Sequence, residues 1–382
     1  MKILHVVDPF ASGLATFLKL LTEELDAHTH IIVHGERKDL ISADDVRKFF
    51  PKNNVKFIRW KSVKRELNAL SDFKAYFELY KIFSRFRDVD VIHLHSSKAG
   101  FIGRLVAKQL GLKQVIYTPN GAPFLMPGVG SKKLKLYEGL EKVAAKFGGE
   151  VVCSSESEAL EYEKRGIRSD FINNGTRISK DSFKPNKNYG KFRIVTSGRV
   201  ADQKNPGVFN EIALAFADLN NFEFVWIGDG EELCEINAPN IRVTGWLSKK
   251  GVKEEISKAD LYLSTSHFEG LPFSVMEAMT MGKCLLLSDC TGNIDLVKRG
   301  FNGELFQNVR EAVNYIFYFF LNHEITHSMG QNSIEICRDY FNIEKTAINY
   351  EQKYLQLSSK IAPKATVYRW YQKLKLKKLI YS

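Results

Sequence analysis

The sequence predicts an α/β protein made of two doubly wound, Rossmann-like domains that face each other across a cleft. Short apolar runs alternate with longer amphipathic stretches through most of the chain, the pattern of parallel sheets covered by helices. The alternation halts at a polar seam and then restarts, which divides it between two units. Length agrees, since 382 residues exceed what one hydrophobic core usually organises.

In the first half, strand-like runs fall at Ile3–Val7, His30–Val33, Val55–Trp60, Val89–His95, Gln114–Tyr117, Glu150–Ser154 and Phe171–Asn173. Helix-length segments such as Ala15–Leu25 and Lys98–Leu110 separate them. The second half restarts with Phe192–Thr196, Glu223–Ile227, Ile241–Thr244, Leu261–Ser264 and Cys284–Ser288, spaced by helical segments at Val208–Asp218 and Val252–Lys258. The seam, Ser179 to Lys191, is rich in Lys, Asn, Asp and Pro with little apolar content, as inter-domain linkers are. It sets an N-terminal domain at 1–180, a C-terminal domain at 190–355 and a tail at 356–382. Open parallel sheets bind ligands beyond their strand C-termini, so two facing sheets place both binding edges on the walls of one cleft.

The first residues, MKILHVVDPF, hold an apolar run from Ile3 to Val7 that contains His5 and ends at Asp8 and Pro9. That is too short for a secretion signal or a membrane span and reads as a buried first strand. The five cysteines lie far apart with no Cys-x-x-Cys pair, which reads as free thiols in a reducing, cytoplasmic compartment. The net charge of +11 calls for an anionic partner; nucleic acid, a membrane surface and phosphorylated small molecules all qualify. Part of the excess sits in the tail, where Lys364, Arg369, Lys373, Lys375, Lys377 and Lys378 alternate with Tyr368, Trp370, Tyr371 and leucines, without an acid. This is the composition of an interfacial helix on anionic lipid; a solvated, fraying terminus is the alternative. A second basic cluster, Arg59, Lys61, Lys64 and Arg65, could face the same surface.

Two segments carry chemistry. The first is His267-Phe268-Glu269-Gly270-Leu271-Pro272-Phe273-Ser274-Val275-Met276-Glu277, which begins where the run Leu261–Ser264 ends. Pro272 suits the first turn of a helix, where its missing N–H is not needed, and Gly282 is a natural stop. Gly270 to Phe273 should then offer free N–H groups and a positive helix end to a diphosphate. Carboxylates at Glu269 and Glu277 can each accept hydrogen bonds from the vicinal hydroxyls of a sugar or ribose; by themselves they equally suit an ordinary surface helix. The second segment is Ser197-Gly198-Arg199-Val200-Ala201-Asp202-Gln203-Lys204. Here a guanidinium and an ammonium follow a buried strand and can neutralise a leaving diphosphate.

Together, in this order, these segments resemble the retaining glycosyltransferases of family four, which have the GT-B fold. The family's Glu, seven residues, Glu signature is matched by Glu269 and Glu277, and its Gly-Arg…Lys clamp by Gly198, Arg199 and Lys204. Further matches are Trp226-Ile227-Gly228-Asp229-Gly230, Val243-Thr244-Gly245-Trp246-Leu247, Gly292-Asn293 with Asp295-Leu296-Val297, and Gly300 with Asn302-Gly303. The resemblance implies that Glu277 binds the ribose, that Glu269 with Gly270, Leu271, Pro272, Phe273 and Ser274 holds the donor sugar, and that Arg199 and Lys204 hold the diphosphate. Trp246 and Leu247 would lie near the nucleobase. Gly13 would stand near the same phosphates, although the family often has two glycines where this chain has Ser12-Gly13. Many members carry a His after Thr-Pro, pointing at the reacting sugar; here Asn120 follows Thr118-Pro119. Asn can hydrogen-bond a sugar hydroxyl but cannot act as a base, and His95 is the alternative polar group on that wall.

The resulting expectation is a retaining, metal-independent sugar transferase with no bound cofactor, its nucleotide-sugar donor being a co-substrate. Family frequency favours UDP. The basic segments suggest a lipid-linked saccharide acceptor at the inner face of the cytoplasmic membrane, in cell-surface polysaccharide or lipopolysaccharide synthesis. The histidines are scattered in sequence without ligand spacing, and no metal is expected. A nucleotide-sugar epimerase, or another enzyme of the same fold acting on a soluble acceptor, is the alternative. No recognisable pyridoxal-phosphate lysine suggests a phosphorylase, and no RNA- or DNA-recognition motif suggests a nucleic-acid partner.

Overall fold

The aliphatic run that opens the chain forms β1 (Lys2–Val7), buried from Ile3 onward. In the computed structural model the described residues are 1–36, 42–51, 53–64, 68–126, 130–178 and 190–359. After β1 come α1 (Ser12–Glu24), β2 (Thr29–His34), α2 (Ala43–Arg47), β3 (Val55–Arg59) and α3 (Ala69–Arg85). Next are β4 (Val91–His95), α4 (Ser97–Gln109), β5 (Val115–Thr118), α5 (Ser131–Ala145), β6 (Glu150–Cys153), α6 (Glu156–Lys164) and β7 (Ser169–Phe171). The second unit holds β8 (Phe192–Ser197), α7 (Pro206–Leu214), β9 (Phe222–Ile227), β10 (Ile241–Val243), α8 (Lys249–Ser257) and β11 (Leu261–Ser264). It continues through α9 (Phe273–Thr280), β12 (Cys284–Ser288), β13 (Gly303–Phe306), α10 (Val309–Leu321), α11 (His323–Tyr340) and α12 (Ile343–Ser359).

The strands form two wholly parallel sheets, in the order β3-β2-β1-β4-β5-β6-β7 and β10-β9-β8-β11-β12-β13. In each, strand order reverses beside the first strand, between β1 and β4 and between β8 and β11. The chain leaves those strands in opposite lateral directions, so a crevice opens beyond their carboxyl ends. β13 has no counterpart among the apolar runs of the sequence; its residues, Gly-Glu-Leu-Phe, are too few and too polar to form one. β7 lies two residues earlier than expected, at an edge where Phe171 stays exposed.

The last helix departs from the expected domain boundary at 355. α12 leaves the second unit and packs on the first, burying Ala347, Tyr350, Tyr354 and Leu357 among Ile3, Val7, Phe17 and Leu21. Tyr354 Oη lies 2.7 Å from His93 Nδ1. The helix runs to Ser359, so the tail expected from 356 starts inside it. The basic stretch from Lys364 to Lys378 lies outside the described residues, as do Arg65 and most of the seam at 179–191. Among the described residues no helix is long and apolar enough to cross a membrane.

Under α12 lies a row of imidazoles. His5 Nδ1 is 3.2 Å from His95 Nε2, and His5 Nε2 is 3.1 Å from His30 Nδ1; His30 Nε2 reaches Leu25 O at 3.1 Å. Burial lowers the pKa of each, His30 to about 4 and His95 to about 3, with His5 and His93 well below the usual value. Acidification therefore protonates the unfolded chain first. The stability these neutral rings contribute is complete above about pH 6.5 and is lost as pH falls toward 4. Unfolding free energies from urea denaturation at pH 7, 5.5 and 4.5 should fall with a slope approaching about 1.4 kcal/mol per pH unit for each histidine. A flat profile over that range would remove these rings from the stability of the fold.

Candidate active site

The two chemistry-bearing segments lie at the carboxyl ends of β8 and β11, adjacent strands at the switch point. Past β8, Gly198 takes φ +143°, and a Cβ there would press to 3.1 Å from Lys204 Cε. The chain then makes a single helical turn over Asp202–Lys204, and Asn205, at φ +51°, caps α7 by accepting the Val208 N–H. Pro206 opens that helix, as its fixed φ favours. This turn sends the Lys204 side chain back toward the loop that follows β11.

The two loops are fastened to each other. Thr265 Oγ1 donates to Lys204 O at 2.8 Å, and His267 N donates to Gln203 O at 2.9 Å. Glu269 is 7 % exposed. Its Oε1 accepts from Lys204 Nζ at 2.7 Å and from Ser266 Oγ at 2.8 Å, while Oε2 accepts from Gln203 Nε2 at 3.3 Å. Burial works against the charge on Lys204, but the Glu269 carboxylate outweighs it and raises the lysine pKa. Arg199 points toward Glu231 at 3.5 Å, so in this state Lys204, rather than Arg199, is the cation joined to Glu269.

Pro272 is the residue just before α9 and not its first helical residue, with φ −73° fixing the entry. No side chain caps this end, so the first-turn N–H groups remain available and carry the positive end of the helix dipole. Glu277, further along α9, is half-buried, and among the described residues its carboxylate makes no hydrogen bond or ion pair. Burial raises its pKa, opposed by Lys249 and Lys253 of α8. A carboxylate placed this way has acceptor sites to offer a ligand.

The N-terminal domain meets this loop closely. A Cβ on Gly270 would lie 2.6 Å from Ser154 Oγ and 2.8 Å from Gly121 N, so only glycine lets the two domains approach here. Asn120, at φ +57°, donates from Nδ2 to Thr118 O at 3.0 Å. Gly13 faces Phe273, whose ring would lie 3.3 Å from a Cβ added there. Glu158, fully buried, holds this wall by accepting the N–H groups of Gly121 at 2.7 Å and Ser154 at 2.9 Å. Alongside it, Ser157 N donates to Asp295 Oδ1 at 3.0 Å across the domain boundary.

One expected site residue lies away from the cleft. His95 is fully buried within the imidazole row and does not line the cleft wall as expected. Its partners come from β1, so nothing in its own segment reveals them. Trp246 and Leu247 lie in the loop after β10, 62 % and 38 % exposed. His5, His93 and His95, scattered in sequence, bring ligand atoms within 4.8 Å of one another. His5 spends both ring nitrogens on histidines and His93 both on Tyr354 and Thr118. The expectation of a metal-free site took the chain to hold no Asp-x-Asp motif, but Asp88-Val89-Asp90 is one; it sits before β4 at the end of the sheet away from the cleft, where both carboxylates hold Lys2. Gln203, Ser266, Ser154 and Glu158 were not singled out; only the neighbourhood of Gln203 to Lys204 hinted at a role.

Two facing doubly wound sheets, with a carboxylate, a lysine and an open helix end at the second switch point, define a glycosyltransferase of GT-B architecture. Residues 11–180 match the model for Glycosyltransferase Family 4, and residues 177–336 that for Glycosyl transferases group 1. The chain belongs to the family-four glycosyltransferases. Among its relatives is the UDP-Gal:alpha-D-GlcNAc-diphosphoundecaprenol alpha-1,3-galactosyltransferase of Escherichia coli, 26% identical over 94% of this chain and 97% of that protein. Another is the N,N'-diacetylbacillosaminyl-diphospho-undecaprenol alpha-1,3-N-acetylgalactosaminyltransferase of Campylobacter jejuni, 22% identical over 85% of this chain and 92% of that protein. Similar solved structures include sucrose-phosphate synthase from Thermosynechococcus elongatus, with TM-score 0.75 and 18% identity over 94% of this chain and 99% of the other. Anabaena HepE in complex with UDP-glucose has TM-score 0.74 and 18% identity over 94% and 100% of the two chains.

The Lys204–Glu269 pair is the part of the site most exposed to substitution. Removing the ammonium leaves a buried carboxylate without its counter-charge. Lys204→Met should lower the unfolding free energy at pH 7 by about 3–5 kcal/mol, read from urea denaturation. The double variant Lys204→Met/Glu269→Gln should recover most of that loss. A single-variant loss below about 1 kcal/mol, within the usual range for exposed pairs, would mean that water already solvates the pair.

Proposed function

We propose that the protein transfers a sugar, with retention at the anomeric carbon, from a UDP-linked donor to a lipid-linked saccharide used in cell-surface polysaccharide or lipopolysaccharide assembly. The observation that carries this reading is the state of the two glutamates. Glu269 is locked by Lys204, Ser266 and Gln203, whereas Glu277 stands half-buried with acceptor sites to spare. The first is suited to orienting a sugar hydroxyl with lone pairs its fixed partners leave over. The second is suited to the ribose. Neither role requires acid–base chemistry.

In a front-face displacement, the bond between the sugar anomeric carbon and the β-phosphate oxygen breaks. The acceptor hydroxyl oxygen bonds to that carbon on the same face, and its proton passes to the departing phosphate oxygen. Negative charge grows on the diphosphate as the bond lengthens. Lys204 Nζ, Arg199 and the first-turn N–H groups of α9 are the counter-charges, and stabilisation delivered only as charge develops accelerates the step. On this reading no divalent ion is needed, and Asn120 contributes a hydrogen bond to donor or acceptor.

The UDP donor and the lipid-linked acceptor are supported by the names of the Escherichia coli and Campylobacter relatives, which specify UDP-Gal and undecaprenol-linked substrates. The basic residues between Lys364 and Lys378 support a place at the inner face of the cytoplasmic membrane, with the tail on anionic lipid.

Glu277→Ala should raise the Kd for a UDP-sugar at least tenfold with a smaller change in kcat, and Glu269→Ala should lower kcat at least a hundredfold with little change in donor Kd. Calorimetry and steady-state product formation measure these; wild-type kinetics in both variants would sink the assignment. Isomerised sugar nucleotide formed from donor alone would point instead to an epimerase. Ending the chain at Ser359 should cut co-sedimentation with phosphatidylglycerol-containing vesicles several-fold, and unchanged association would remove the tail from membrane binding.

A further inference from the structure

The outward face of α3 combines aromatic and cationic side chains in a way the catalytic site does not use. Leu70, Phe73 and Phe77 are 78 %, 64 % and 46 % exposed, and Phe73 packs edge-to-face on Phe77 with ring centroids 4.6 Å apart. Lys74, Lys81 and Arg85, also exposed, complete the face. At 3.6 residues per turn these six positions fall within a sector of about 120°. The opposite face, with Ala75, Leu79, Ile82 and Phe83, is buried against the sheet.

Both acids of the helix are occupied by this chain. Asp72 accepts Lys98 Nζ at 2.8 Å and the Asn68 N–H at 3.1 Å. Glu78 accepts the N–H groups of Lys61 and Ser62 at 2.9 and 2.8 Å. What α3 shows to solvent is therefore apolar rings and cations, and among the described residues Lys74, Lys81 and Arg85 form no ion pair. Contiguous exposed apolar surface marks an interaction site. Aromatic rings bordered by lysines and arginine suit the boundary between acyl chains and anionic headgroups, in a chain whose net charge is +11.

We propose that this face of α3 is a docking surface for an anionic phospholipid bilayer. The Lys98–Asp72 contact joins the first turn of α4, which follows the carboxyl end of β4, to the first turn of α3. The apolar half of the face, Leu70 to Phe77, thus lies at the same end of the sheet as the cleft. Resting on the reading of a lipid-linked acceptor, the placement sets the bilayer beside the cleft mouth, and the acceptor's sugar reaches the donor while its lipid stays in the membrane.

The test uses the full chain with vesicles of phosphatidylethanolamine and phosphatidylglycerol at 3:1, and phosphatidylcholine vesicles as control. Leu70→Ser/Phe73→Ser/Phe77→Ser and Lys74→Glu/Lys81→Glu should each lower partition onto the anionic vesicles at least tenfold, with circular dichroism and UDP-sugar binding unchanged. Wild-type partition in both variants overturns the proposal. So does a change of oligomeric state in sedimentation velocity without a change in partition, which would assign the face to a second copy of the chain. The vesicles contain no saccharide acceptor, so this outcome is independent of the transferase reading, which donor binding and product formation decide.

Discussion

A lysine and a carboxylate withdrawn from water hold together only while both remain, and the pair formed by Lys204 and Glu269 is the constraint around which the cleft is organised. It joins the loop after β8 to the loop after β11. Backbone and hydroxyl contacts from Thr265 and His267 reinforce the same seam. Because the pair is shielded, its members keep a single geometry without a ligand, and the helix end at Phe273 is presented in a fixed direction. Such preorganisation spares the site the reorganisation that solvent dipoles would need as charge develops.

The opposing wall is held by a different device. Glu158 is buried and its pKa is raised by burial, yet hydrogen bonds from Ser154 and Gly121 favour its ionised form. Those bonds fix the two loops that face Gly270. The absence of a side chain at Gly270 then allows backbone from both domains to meet, so the wall and the donor loop share one boundary. Distance between the walls is governed by a missing methyl group as much as by any attraction.

Much of the fold was legible because each strand is a local event. Leu261–Ser264 and Cys284–Ser288 were read to the residue, since polar neighbours end both apolar runs sharply. β13 escaped because its four residues carry a glycine and a charge. The destination of α12 escaped for another reason: periodicity reveals an apolar face but not the surface it will cover, and Tyr350 and Tyr354 cover the other domain. The same limit applies to the site. Glu269, Glu277 and Lys204 were singled out by the family resemblance of their segments, each of which begins where a strand ends. The partners that define their states, Ser266 and Gln203 for Glu269, come from geometry between loops. The burial of His95 is not legible in its own segment because its hydrogen-bond partner, His5, belongs to β1, distant in sequence.

The return of α12 has a mechanical consequence. The chain passes between domains near Thr176 and comes back near Asn342, and the two passages touch: Thr176 N donates to Phe341 O at 2.8 Å and Ile343 N to Thr176 O at 3.1 Å. Two covalent links bonded side by side act as a door hinge rather than a tether. Sliding or twisting of one lobe against the other would break that bridge, whereas a swing about it would keep both bonds. A donor could enter and its diphosphate leave through such a swing, and each closure would bring Gly270 back against Gly121 in the same register.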